Sequence, residues 1–204
     1  MLPFKKLPFK IENTWVSSDT HFGHSGIVKG MSNWEDKSGC RDFNSVDEMN
    51  KTLIYNFNSL IKENDLLIHH GDWSFGGENN IDNFRNSLIC KNIIIIRGNH
   101  CQHIHKHSYN FSEILDIGYF QIEEFRFVSC HYPIFHWHQQ EKGVAMLHGH
   151  LHNEEGYILK QMHNSYKIMD VGVDQYFKLH KEYKPFNIYE VINLLKNKNT
   201  LERH

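Results

Sequence analysis

The sequence predicts an α/β layered fold in which at least some strands pair in parallel. Three observations carry that expectation. Short, partly β-branched apolar runs recur along the chain and stop abruptly in polar, glycine-containing turns. Amphipathic stretches of helical period lie between them. The turns that close the runs are rich in His and Asp, and α/β sheets gather ligands at the carboxyl ends of their strands.

The first strand is predicted over residues 15–18 and runs into Asp19-Thr20-His21. A helix follows. Ser45 and Glu48 have the spacing of a capping box, and Val46, Met49, Leu53, Ile54, Phe57, Leu60 and Ile61 form the apolar stripe that faces a sheet. Residues 66–68 lead into His69-His70-Gly71-Asp72, and a second helix fits Ile81, Phe84, Leu88 and Ile89. Residues 93–96, four isoleucines, are apolar on both faces and so read as a buried strand. They end in Arg97-Gly98-Asn99-His100. Residues 125–130 reach His131, and residues 144–147 reach His148-Gly149-His150-Leu151-His152. Weaker strands are predicted over 167–173 and 186–190. The last helix begins near Asn187 and carries Ile188, Val191 and Leu194.

Composition narrows the function. A chain of 204 residues reads as one domain over 1–204 at the usual ~100–200 residues per domain. Lys and Arg number 22 against 24 Asp and Glu, a net charge of −2, which excludes a global basic field for nucleic acid. Hydrophobic content of 40% with 23% charged residues excludes disorder by composition. No apolar run approaches the ~18 residues of a membrane span, and the opening MLPFKKLPFK lacks the apolar stretch of a secretory signal. Cys40, Cys90, Cys101 and Cys130 show no Cys-x-x-Cys spacing, so neither a zinc knuckle nor a disulfide framework is indicated, and a reduced cytoplasm is the expected compartment. Histidine is the anomaly. Its 17 copies are spread along the chain, and imidazole is the commonest metal ligand.

Five polar clusters close five predicted strands: Asp19-x-His21, Gly71-Asp72, Gly98-Asn99-His100, His131 and Gly149-His150-x-His152. One Asp or His after a strand is usually a turn former. Five in order, all of ligand type, point to a metal centre. In an extended segment residues i and i+2 point the same way, so Asp19 and His21 can reach one ion, and His150 and His152 one site or two adjacent ones. Glycines before Asp72, Asn99 and His150 permit close backbone approach. Mixed carboxylate, imidazole and amide donors suit Mn²⁺, Fe, Zn²⁺ or Ni²⁺ better than Ca²⁺ or Mg²⁺.

That ordered set resembles the signature of the calcineurin-like metallophosphoesterase superfamily, from about Trp15 to Tyr189. Residues 18–24 (SDTHFGH), Arg41-x-Phe43, His131-Tyr132-Pro133 and residues 170–174 (DVGVD) are similar to its small single-domain bacterial and phage members. The resemblance implies a four-layer α/β/β/α sandwich with two mixed β-sheets and two divalent ions, Mn²⁺ first. Asp19, His21 and His152 would hold one ion and Asn99, His131 and His150 the other, with Asp72 bridging both. Two such ions activate a water and clamp phosphoryl oxygens, and His100 would protonate the leaving oxygen or hydrogen-bond a non-bridging one. Asp72, Asn99 and His100 thus stand in the chemistry itself.

One departure stands out. The superfamily usually places Asp or Glu after the Asn-His pair, and this chain has Cys101. A thiol is a weak partner for an imidazole, so Asp174 and Asp170 become the candidates to orient His100. His24 and Arg41 are further candidates for binding the substrate phosphate, Arg41 through its guanidinium fork. Trp73, Phe75, Tyr132, Phe135 and Trp137 could stack on a base, although such aromatics are more often core or wall. His103, His105 and His107 read as a solvated face, and His69, His70 and His148 as packing or supporting groups. The expected activity is a metal-dependent phosphoesterase, a phosphodiesterase acting on a nucleotide, a cyclic nucleotide or a nucleic-acid end. A phosphomonoesterase and a non-catalytic scaffold of the same fold are the alternatives.

Overall fold

The computed structural model describes residues 3–152, 154 and 156–201. In chain order its first half contains β1 (Lys5–Lys6), β2 (Thr14–Ser17), α1 (Val46–Leu60), β3 (Leu66–His69), α2 (Glu78–Ser87) and β4 (Asn92–Ile96). The second half contains β5 (Glu113–Leu115), β6 (Ile117–Ile122), β7 (Phe125–Cys130), β8 (Ala145–His148), α3 (Tyr157–Ser165), β9 (Ile168–Asp170), α4 (Val173–His180), β10 (Phe186–Asn187) and α5 (Ile188–Leu195). Short 3₁₀ turns join several of these.

The strands form two five-stranded sheets, ordered β10-β2-β3-β4-β5 and β1-β6-β7-β8-β9. In the first, only β10 is antiparallel to its neighbour. In the second, only the β6–β7 hairpin is antiparallel. Both sheets are therefore mixed. Val16, Leu66, Ile68, Ile94 and Ile96 from one sheet meet Phe120, Ile122, Phe127, Ala145 and Leu147 from the other in a buried inter-sheet core.

The period of two explains β4. Ile94 and Ile96 face the other sheet, while Ile93 and Ile95 face outward onto Met49, Leu53 and Phe57 of α1 and Ile81 of α2. On the far side, Val128, Met146 and Ile168 pack against Met162 of α3. The order of layers is thus α/β/β/α, each buried Leu, Ile or Phe contributing about 1.5–3 kcal/mol relative to exposure. Among the described residues no helix is long and apolar enough to cross a membrane.

Helix α1 starts as its sequence predicts. Ser45 Oγ accepts from the Glu48 backbone N–H at 3.1 Å. The return arm of the capping box is shifted, because Glu48 Oε2 accepts from Asn44 N–H at 2.9 Å rather than from Ser45. Three other expectations need correction. Helix α2 begins at Glu78 and ends before Leu88 and Ile89. The strand expected over 167–173 stops at Asp170, and Val173 opens α4. The strand expected over 186–190 covers only Phe186–Asn187, after which the Asn187 side chain caps α5.

Candidate metal centre

Strands β2, β3 and β4 lie parallel, as do β7 and β8, and the turns at their carboxyl ends meet across the sandwich. Among the described residues, two triplets of acidic and imidazole side chains have their donor atoms within 4.8 Å of one another: Asp19, His21 and His152, and Asp19, Asp72 and His131. His21 Nε2 lies 3.0 Å from His152 Nε2 and 3.8 Å from Asp19 Oδ1. Asn99 Oδ1 is 2.9 Å from His131 Nε2 and 3.1 Å from His150 Nδ1. Asp72 Oδ2 stands between these groups, 3.6 Å from both His21 Nε2 and His131 Nε2. All seven side chains singled out as ligands therefore converge on one place.

They converge by a route that the extended-strand argument did not foresee. Asp19, His21, Asp72, His150 and His152 all have positive φ, between 46° and 77°. Left-handed backbone at a residue with a Cβ is strained and concentrates at functional sites. Asp19 and His21 face one point because the chain coils tightly there, not because it is extended. The glycines serve as anticipated. A Cβ on Gly149 would lie 1.9 Å from Ser18 Oγ, and one on Gly98 would lie 2.2 Å from Asp72 Oδ1.

The floor of the site is buried and its rim open. Asp19, His21, Asp72 and His131 are buried, His150 and His152 are half-buried, and Asn99 and His100 are exposed. His131 Nδ1–H donates to the His70 carbonyl at 2.7 Å, and His152 Nδ1–H donates to Asp174 Oδ2 at 2.7 Å. Each imidazole thereby turns its Nε2 lone pair toward the centre, the arrangement that supports a metal ligand. Burial pushes the Asp19 carboxyl up and the His21 imidazole well down. Asp19 Oδ1 and His21 Nδ1 are buried without a hydrogen-bond partner. A buried carboxylate oxygen without a partner, set among converging imidazole nitrogens, is a donor set suited to divalent cations.

Next to these donors is a cavity of about 560 Å³ lined by His21, His24, Trp34, Phe75, His100, His150 and His152, with Ile27 and Leu151 as apolar wall. His24 stacks on Phe75 with ring centroids 3.9 Å apart, and burial takes its imidazole down to about 4. Trp34 forms an exposed edge of this cavity. Sequence reasoning missed it, since it lies in a loop with no pattern to mark it.

Several candidate roles change. Arg41 is not placed to bind a substrate phosphate. It is 1% exposed, and its N–H groups go to both oxygens of Asp174, the carbonyls of Asp19 and Thr20, and Met49 Sδ. Asp174 does not orient His100, because it lies under His152 instead, and Asp170 accepts from Gly172 N–H. Cys101 turns into the core, leaving His100 held through its backbone N–H, which donates to Asp72 Oδ1 at 3.0 Å. His107 is buried against Asp82 at 2.6 Å rather than solvated. Trp73 and Trp137 are core residues, Phe75 lines the cavity, Tyr132 sits beside His150, and Phe135 is exposed.

The supporting histidines are buried and neutral. His70 Nδ1–H donates to Ser17 O and its Nε2 accepts from Ser129 Oγ–H. His148 Nδ1–H donates to Gly149 O and its Nε2 accepts from His163. Burial lowers His70 to about 4 and His148 to about 3. Below about pH 6.5 the unfolded chain binds protons at these positions and the folded chain does not, so stability falls as pH falls. Between pH 7 and pH 5 the expected loss is about 2 kcal/mol for each histidine. Urea unfolding at the two pH values measures it. His148→Gln should remove about 2 kcal/mol of the decline, and equal stability at both pH values would contradict the neutral assignment.

A model of the calcineurin-like phosphoesterase family matches residues 13–200. An uncharacterized protein of Methanocaldococcus jannaschii, MJ1445, is 38% identical over 88 residues, 42% of this chain and 45% of that protein. The match thus spans under half of that relative's length. The crystal structure of AQ665 from Aquifex aeolicus, a protein of unknown function, superposes with a TM-score of 0.63 at 21% identity, covering 89% of this chain and 98% of that one. That likeness is one of fold.

Proposed function

The chain belongs to the calcineurin-like phosphoesterase family, and on that premise we propose that it is a phosphodiesterase acting on a nucleotide, a cyclic nucleotide or a nucleic-acid end. Metal-dependent phosphoester hydrolysis is the general activity that membership supports. The diester preference rests on one observation. The cavity beside the donor set offers aromatic and apolar surface, with no Lys or Arg among its described lining residues, and Glu154 on its wall. A dianionic monoester gains little there. A monoanionic diester with a flat ester group fits better, since aromatic rings stack on planar bases.

In this reading Asp19, His21 and His152 would hold one divalent ion, and Asn99, His131 and His150 the other, with the Asp72 carboxylate between the two groups. Such ions, Mn²⁺ first, would supply Lewis acidity toward the phosphoryl oxygens and a water deprotonated to hydroxide at neutral pH. His100, on the open rim with its Nε2 4.0 Å from Asp72 Oδ2, protonates the leaving oxygen or hydrogen-bonds a non-bridging one. Phe75 tilts against the His100 ring at 4.7 Å and fixes its plane in place of the missing carboxylate. Phe75, His24 and Trp34 receive the leaving group and keep water from that side.

The test compares kcat/KM for bis(p-nitrophenyl) phosphate and p-nitrophenyl phosphate on Mn²⁺-loaded protein. The diester is expected to be favoured at least tenfold. Preference for the monoester would replace this reading with a phosphomonoesterase, and inactivity with every divalent ion would point to a scaffold.

A further inference from the structure

We infer that buried Arg41 and half-buried Asp174 form a clamp that positions one half of the metal centre, the half made by Asp19, His21 and His152. The inference rests on the ligand assignment proposed above and adds two residues to it. Arg41 comes from the loop before α1, Asp174 from the first turn of α4, and His152 from the turn after β8, so the clamp joins three separate parts of the chain.

The geometry is specific. Arg41 grips Asp174 with both arms of its fork, Nε to Oδ1 and Nη2 to Oδ2, each at 2.8 Å. Its remaining donors hold the first metal loop by its backbone, Nη2 on the Asp19 carbonyl at 2.5 Å and Nη1 on the Thr20 carbonyl at 2.9 Å. Those two carbonyls flank the peptides that set the directions of the Asp19 and His21 side chains. Asp174 Oδ2 then accepts from His152 Nδ1–H, which leaves His152 Nε2 facing His21 Nε2 at 3.0 Å. One guanidinium thus fixes all three members of a triplet whose backbone is left-handed at every member.

The other half is held differently. His131 is oriented by the His70 carbonyl and Asn99 by contacts within the site, with no Arg or Asp beneath them in these contacts. A buried charge pair costs desolvation, and a hydrophobic pair could fill the same space. A planar five-donor fork matched to a carboxylate and two carbonyls makes sense where direction matters more than packing.

Asp174→Asn keeps the shape and removes the charge, and Arg41→Lys keeps the charge and removes the fork. Each is titrated with Mn²⁺, following bound ions by equilibrium dialysis and the spectrum by electron paramagnetic resonance. Wild type should hold two ions and give the signal of a coupled pair. Both variants should hold one ion normally, bind the second about 10–100-fold more weakly, and give the six-line signal of an isolated ion. Asp174→Glu should recover part of the second site, and it stands in for Asp174→Asn should that variant fail to fold by circular dichroism. Two ions bound with wild-type affinity, or both weakened alike, would overturn the clamp. Wild-type protein that binds no ion would instead overturn the ligand assignment on which it stands.

Discussion

Asp72→Asn is expected to lower kcat by roughly 10³-fold and to strip tightly held divalent ions, and excess chelator should silence the wild type. Asp72 is buried, with Oδ2 equidistant from His21 Nε2 and His131 Nε2 at 3.6 Å. It stands between an imidazole of each donor group, so its charge bears on any cation beside either. An ion's contribution to transition-state charge is several kcal/mol, and about 4 kcal/mol is a thousandfold in rate. The substitution spares the fold, since an amide oxygen can still accept from His100 N–H as Oδ1 does. Metal analysis, kcat and thermal unfolding separate these effects. The metal-free variant should have a stability within about 1–2 kcal/mol of the metal-free parent, because the amide keeps the shape and the hydrogen bond from His100 N–H. Turnover that persists in chelator would sink the metal-dependent account.

Gly149→Ala is expected to damage stability and chemistry together. The added methyl would lie 1.9 Å from Ser18 Oγ and 2.4 Å from Asp19 Oδ2. Neither atom is free to retreat, because Ser18 Oγ–H donates to the His70 carbonyl at 2.9 Å and Asp19 Oδ2 accepts from His150 N–H at 2.9 Å. Forcing a methyl into such a space costs about 1–3 kcal/mol, or several degrees of melting temperature at about 2–4 °C per kcal/mol. The displacement falls on a donor, and a shift of about 1 Å can cost roughly 10²-fold in rate. Gly156→Ala is the control. Among the described residues its Cβ would meet nothing within 4 Å, so stability should stay within about 0.5 kcal/mol. Thermal melts and kcat on both variants decide the matter, and a Gly149→Ala protein with parental values would show that the turns after β2 and β8 are not in contact.

How much of this was legible beforehand differs by element. The isoleucines of β4 and the stripe of α1 announce themselves, because burial on two faces or on one dictates the period of the apolar residues. Helix α3 does not. Tyr157 and Ile158, its most conspicuous apolar residues, are exposed, and Met162 carries the packing. Strand β6 buries Gly118, Phe120 and Ile122 on alternate positions, and the glycine interrupts the apolar signal. Helix α4 follows β9 so closely that the apolar run 167–173 hides the change of period. At the site, the residue types and their order were readable, and the structure brings all seven together. The supports were not. Arg41 looks like a phosphate clamp from its chemistry alone, and only its burial and its partners reveal that every arm is already occupied. Asp174 was singled out for the wrong histidine, since a carboxylate's partner depends on a tertiary contact 22 residues distant from His152.

The coiling of the chain at Asp19, His21, Asp72, His150 and His152 bears on how such a protein decays. Each of these residues sits where glycine would rest more comfortably, by about 1–2 kcal/mol. A descendant released from selection for hydrolysis would grow sturdier with each of these five donors it discards, so the slide from enzyme to inert relic runs downhill. Retired copies of this architecture should therefore be recognisable by small residues at these five positions and by melting temperatures above that of the working ancestor.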